Sequence, residues 1–276
     1  MSTTLSRSAP PTTGIALRPL HPAFGAEISG LDLATPLAAG MLEVLHDALI
    51  EHGVLLLRDQ RALPQCIARG LAALEAPWLG QALHQAAPAL PLSVGAVPDL
   101  PPPGQAARPF WHADRSYAAE PGLACLMRAD APAGTIAFAD QRAALAGLPS
   151  ALRARLESLR AVHESPLDRT LRAEHPLVRR HPVTGDASLY ADPAFTTRIL
   201  NLPMVESDLL LGAAFATATA EAITWRHDWQ SGDVLVWDNR RMLHTASSGP
   251  GLDSLRIEGD LPRAAALLDM PWVIAG

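Results

Sequence analysis

The chain contains no lysine: all 22 of its basic residues are arginine, set against 28 acidic ones, for a formal net charge of −6. That balance argues against a nucleic-acid partner, which needs a basic face. Cysteine is almost absent too, with Cys66 and Cys125 the two present. They form no CxxC pair and no secreted disulfide framework, and both read as small buried hydrophobes. No apolar run approaches the ~20 residues that span a bilayer. The polar stretch MSTTLSRSAPPTTG has no hydrophobic segment behind Arg7 and does not read as a signal peptide. Charged residues are 18% against 49% hydrophobic ones, which excludes wholesale disorder and provides for a sizeable core. The expectation is a cytoplasmic protein acting on a small molecule, with no nucleic-acid or membrane partner and a homo-oligomer left open.

What is present is a string of short elements. Residues 1–13 read as a flexible tail and 14–276 as a single domain. Ile15–Leu17 and Ala26–Ile28 are candidate strands between Pro and Gly breaks. Helical spacing runs from Leu37 to His52 and stops at Gly53, and the apolar run Val54–Leu57 suits a buried strand. Gln60–Ala76, Leu148–His163 and Val205–Ile223 are further helix candidates. Strand-like pieces fall at Leu123–Arg128, Ile136–Ala139, Leu189–Ala191, Val234–Trp237 and Leu255–Glu258. Residues 86–109 hold nine prolines and glycines and read as one long, lid-like loop. The pattern predicts a mainly β fold with flanking helices, built on a β-sandwich or jelly-roll core.

One local feature carries chemistry. In Trp111-His112-Ala113-Asp114, an extended chain turns His112 and Asp114 to the same face, where an imidazole and a carboxylate can share an ion. An HxD pair alone is common, and a polar pair at a strand end explains it equally. Far downstream, Gly232–His244 runs from a turn through an apolar strand to a histidine. If His244 meets the pair, one face carries two histidines and a carboxylate with open positions left over, a set suited to Fe(II). A structural zinc would want a closed shell, usually with Cys, and neither cysteine is placed to supply it. Trp225, Trp229 and Trp237 read as packing, and Asp238–Arg241 as support for the strand that carries His244.

At this point the sequence resembles the taurine dioxygenase (TauD/TfdA-like) family of Fe(II)/2-oxoglutarate-dependent oxygenases. The matching stretches, in family order, are FGAEISGLDL (24–33), HGVLLLRDQ (52–60), WHADRSY (111–117), FAD (138–140), LPSALRARLESLRAVH (148–163), HPVTGDASLYADPAFTTRI (181–199) and GDVLVWDNRRMLHTA (232–246). The resemblance implies a double-stranded β-helix, a cupin-like jelly roll. It also implies Fe(II) held by His112, Asp114 and His244, with 2-oxoglutarate and O2 as cosubstrates, and a dioxygenase that hydroxylates a C–H bond of a small organic substrate, giving succinate and CO2.

The resemblance also implies cosubstrate and substrate positions. Arg256, beyond the distal histidine, matches the arginine that pairs with the far carboxylate of oxoglutarate, with Arg263 second in another register. The family's GGDT threonine falls on Ile136 when FAD is the anchor, or on Thr135 after a one-residue shift. His84, in GQALH, matches a histidine that contacts the substrate anion, and Asp260 stands where a second arginine often faces that anion, which disfavours a sulfonate. The departures at Thr135 and in the tail keep open an alternative, a non-catalytic or oxoglutarate-independent metal-binding member of the same fold.

Overall fold

The computed structural model describes residues 14–34, 39–61, 110–119 and 121–245, together with the main chain of 92–94 and 252–258. The elements follow the Gly/Pro punctuation. β1 (Ala16–Pro19) and β2 (Ala26–Ser29) pair antiparallel. α1 (Ala39–His52) stops at Gly53, whose φ of +73° turns the chain straight into the buried β3 (Val54–Leu57). Next come β4 (Leu92–Val94), β5 (Trp111–His112), β6 (Gly122–Ala129) and β7 (Thr135–Asp140). Asp140 caps α2 (Gln141–Gly147), its carboxylate accepting from the Arg142 N–H at 2.9 Å. α3 (Ser150–Glu157) is followed by β8 (Arg160–Glu164), β9 (Arg172–Pro176), β10 (Val178–Arg180), β11 (Ala187–Leu189) and β12 (Thr196–Ile199). After α4 (Met204–Ala218) come β13 (Thr224–Asp228), β14 (Val234–Asp238), β15 (Met242–Thr245) and β16 (Leu252–Glu258). No helix among the described residues is long and apolar enough to cross a membrane.

Two sheets make the core. The larger has the order β1-β2-β3-β14-β6-β16-β4, and the smaller β13-β7-β15-β5. Their inner faces share one cluster: Val54, Leu56, Cys125, Leu235 and Trp237 come from the larger sheet, Ile136, Phe138 and Met242 from the smaller. The outer face of the smaller sheet presents Ala137, Ala139 and Leu243 to a second cluster, which draws Ala144 and Leu145 from α2, Leu156 from α3 and Leu211, Ala214 and Ala218 from α4. A sandwich whose second sheet is covered by helices is the jelly-roll arrangement expected from the sequence. β12-β8-β9 and β10-β11 form smaller sheets beside it.

Several boundaries differ from the sequence reading. The helix expected over 148–163 ends at Glu157, and Arg160–Glu164 pairs on both sides, with β9 and with β12. That double pairing buries Ala161, Val162 and His163, and it overrides helical spacing. The loop expected over 86–109 contains β4, which pairs with β16. The strand expected at 189–191 ends at Leu189. Most of the helix expected from Gln60 to Ala76 lies outside the described residues.

Candidate metal centre

β5 and β15 are antiparallel neighbours in which His112 stands directly opposite His244. Side chains opposed in this way lie on one face, and the two imidazole centroids are 4.2 Å apart. Contrary to the expectation of one strand carrying the whole pair, β5 ends at His112. Asp114 sits in the turn that follows, where Arg115 takes φ +54°. The turn still delivers its carboxylate: Asp114 Oδ1 lies 3.8 Å from His112 Nε2 and 3.8 Å from His244 Nε2. One ligand atom from each residue falls within 4.8 Å of the others. All three side chains are buried.

Local contacts fix each member. His112 Nδ1 faces the Phe110 carbonyl oxygen at 3.0 Å, so it carries the proton and leaves the Nε2 lone pair inward. His244 lies against Trp237 (4.8 Å between centroids) and Phe138 (6.1 Å), both fully buried. The Asp114 turn is held from three sides. Gly122 N–H donates to the Asp114 carbonyl at 3.2 Å, Asn239 Oδ1 faces the Asp114 N–H at 3.5 Å, and Ser116 donates to Asp192 at 2.8 Å. His163 Nδ1 lies 3.0 Å from the Ser116 hydroxyl oxygen, and Asp192 also accepts the Phe195 N–H at 2.7 Å. Sequence spacing could not reveal this scaffold, because Ser116 and Asp192 are 76 residues apart. Ser116, His163, Asp192 and Asn239 nonetheless lie in stretches that carry the family resemblance.

The turn between β14 and β15 is braced by charge. Asp238, fully buried, accepts from Arg240 at 2.8 Å (Nε) and 2.6 Å (Nη2), and His181 Nε2 lies 2.9 Å from it. Burial alone would raise the Asp238 carboxyl, but the Arg240 guanidinium and His181 overcome it and hold the group far below the usual carboxylate range. Arg241 donates to Asp140 at 2.9 Å and to the carbonyls of Ile50 and Glu51 at 3.0 and 3.1 Å, tying β15 to α1 and to the start of α2. These bonds give Asp238–Arg241 the supporting role read from the sequence.

The three candidate ligand atoms suit a divalent iron. Atoms about 2.1 Å from one ion lie about 3–4 Å apart, and the two histidine Nε2 atoms each lie 3.8 Å from Asp114 Oδ1. Two imidazoles and one carboxylate on one side of an ion leave the remaining positions open. The other expected site residues fare differently. Strand alternation places Thr135 on the same face as Ala137 and Ala139, outside the sandwich, where its exposed hydroxyl donates to Asp228 at 2.5 Å. The structure therefore does not bring Thr135 to the triad; Ile136 takes the inward position. Arg256 occupies the β16 register position opposite Cys125 of β6, a residue of the inner cluster. His84, Asp260 and Arg263 lie outside the described residues.

Comparison with known proteins agrees with this architecture. The family model described as "Taurine catabolism dioxygenase TauD, TfdA family" matches residues 16–256. An alkylsulfatase of Acinetobacter baylyi is 30% identical over 87% of this chain and 82% of its own length. An α-ketoglutarate-dependent sulfate ester dioxygenase of Pseudomonas putida is 30% identical over 89% of this chain and 88% of its own. The crystal structure of a taurine dioxygenase from Burkholderia xenovorans superposes with a TM-score of 0.71 at 28% identity, covering 89% of this chain and 91% of that one. The chain belongs to the TauD/TfdA family of dioxygenases.

Proposed function

We propose that the protein is an Fe(II)- and 2-oxoglutarate-dependent dioxygenase that hydroxylates a C–H bond of a small organic substrate, and that His112, Asp114 and His244 hold its metal. The observation that carries this reading is the approach of both histidine Nε2 atoms to one Asp114 oxygen, 3.8 Å each, across paired strands. When bound, iron(II) supplies the cosubstrate and O2 chemistry that side chains lack. The chain does the rest. Phe110 fixes the His112 tautomer, Trp237 and Phe138 wall off His244 from water, and the buried Asp238–Arg240 pair keeps β15 in place. Arg256, opposite Cys125, is the residue we assign to the far carboxylate of oxoglutarate, since a planar guanidinium binds a carboxylate through two parallel hydrogen bonds. Its register beside an inner-cluster residue supports this. The net charge of −6 supports small molecules rather than nucleic acid as partners.

The two relatives that act on sulfate esters make alkyl sulfates the first substrate class to test. Hydroxylation at the carbon bearing the ester oxygen gives an alcohol that collapses to an aldehyde and sulfate, with the alcohol proton lost and the C–O bond broken. The assay is an anaerobically iron-loaded protein given oxoglutarate, O2 and a series of alkyl sulfates, with succinate, aldehyde and sulfate measured. Equimolar formation of the three supports the reading. Succinate that no alkyl sulfate raises removes this substrate class, and oxoglutarate that is never consumed removes the activity.

A further inference from the structure

Beside the Asp114 turn lies a small, partly enclosed pocket of about 10 Å³, lined by Gly122, Leu123, Arg179, Tyr190, Asn239 and Arg240. That is the room a single water needs. Asn239 is 3% exposed, and its amide orientation is settled by its neighbours. The Trp237 indole N–H donates to Oδ1 at 3.1 Å, and the Asp114 N–H faces the same oxygen at 3.5 Å. Both neighbours are donors, so the oxygen belongs on that side and the NH2 group on the other. Nδ2 is then left buried with no hydrogen-bond partner among the described residues. It borders the cavity at Gly122, where a Cβ would stand 3.4 Å from it. Tyr190, 5% exposed, lines the same space. Burial pushes its phenol up to about 12 against the pull of the adjacent Arg179, so the hydroxyl keeps its proton and can donate as well as accept.

We infer that the cavity holds one internal water that accepts from Asn239 Nδ2 and bonds the Tyr190 hydroxyl, and that Asn239, so held, is a positioning residue for Asp114. A water has two acceptor and two donor positions, which match the donor-only NH2 group of Asn239 and a hydroxyl able to do either. Asn239 then links three parts of the centre: the Asp114 main chain, the Trp237 ring that lies against His244, and, through the water, Tyr190 just beyond β11. Asp114 lies past the end of its strand, so the turn needs such outside anchors to aim the carboxylate. A small anion could also accept from Asn239 Nδ2 beside Arg179 and Arg240, but the pocket has water-sized room only.

This inference rests on the reading of Asp114 as a metal ligand, and the experiment separates the two. A high-resolution crystal structure of the metal-free protein, with one crystal soaked in bromide, is paired with anaerobic Fe(II) titrations of wild type, Tyr190→Phe and Asn239→Ala. The expected result is a spherical peak within hydrogen-bond distance of both Asn239 Nδ2 and Tyr190 Oη, with no anomalous signal from bromide. Asn239→Ala should weaken Fe(II) binding about tenfold, the range of outer-shell losses. Tyr190→Phe should lose the peak and weaken binding about threefold, the loss of one neutral hydrogen bond. Tyr190→Phe carries the test if Asn239→Ala does not fold. A dry cavity, a bromide peak, or variants that melt earlier yet bind iron like wild type would each overturn the inference. Wild type that binds no iron would instead overturn the metal site itself, and the positioning role with it.

Discussion

Replacing Asp238 by Asn keeps the side chain's shape and removes its charge. The carboxylate is fully buried, and it is the counterion of Arg240, whose side chain is 4% exposed and which reaches it through Nε and Nη2. His181 meets the same group at 2.9 Å. Removing one partner of a buried pair leaves the other charge desolvated and unpaired, a loss of about 3–5 kcal/mol. At roughly 2 °C per kcal/mol for a domain of this size, Tm should fall by about 6–10 °C. The pH dependence has a definite sign. The Asp238 carboxyl is held far below its unfolded value, so its contribution is complete above the unfolded pKa and is lost as pH falls toward the folded one. The gap in Tm between wild type and Asp238→Asn should therefore hold steady from about pH 7 to about pH 5 and narrow below about pH 4. Calorimetry of the metal-free proteins across that range measures it. A gap under about 2 °C at pH 7, or one that stays constant down to pH 3.5, would refute the reasoning.

Other expectations follow from the same contacts. Gly53→Ala forces a Cβ into φ +73° and to within 2.8 Å of Arg241 Nε, so the variant should lose more than about 1 kcal/mol, read by urea unfolding. Arg256→Ala should weaken oxoglutarate binding by about 30-fold, as expected for loss of a charge-assisted pair, while Fe(II) affinity stays as in wild type; Arg256→Lys should recover only part. Thr135→Ala, with its hydroxyl on the outer face and bonded to Asp228, should leave oxoglutarate affinity within about twofold of wild type, measured by the same titration.

Much of the scaffold is legible because period and punctuation agree. Val54–Leu57 and Val234–Trp237 are apolar runs closed by glycine turns, and both become central strands of the larger sheet. Leu148–His163 misleads because one helical stripe continues into residues whose strand pairing is decided by distant partners, Thr196–Ile199 and Arg172–Pro176. The two histidines of the centre are legible as motif members, but their opposition is a matter of register between β5 and β15 that no local pattern encodes. Thr135 shows how narrow the margin is: a shift of one residue along β7 exchanges the outer face for the inner one, and Ile136 is the residue that turns inward. Cys125 is a buried thiol, as expected of an isolated cysteine in an apolar strand.

The central claim is that His112, Asp114 and His244 together hold iron on which oxoglutarate binds. Anaerobic titration with Fe(II) and then oxoglutarate, followed by the visible absorption band of the chelate, tests it most directly. Wild type should saturate at one iron per chain and develop the band, and His112→Ala, Asp114→Ala and His244→Ala should each fold yet lose tight iron binding and the band. Absence of the band in wild type, or any one of the three variants binding iron as tightly as wild type, would contradict the account.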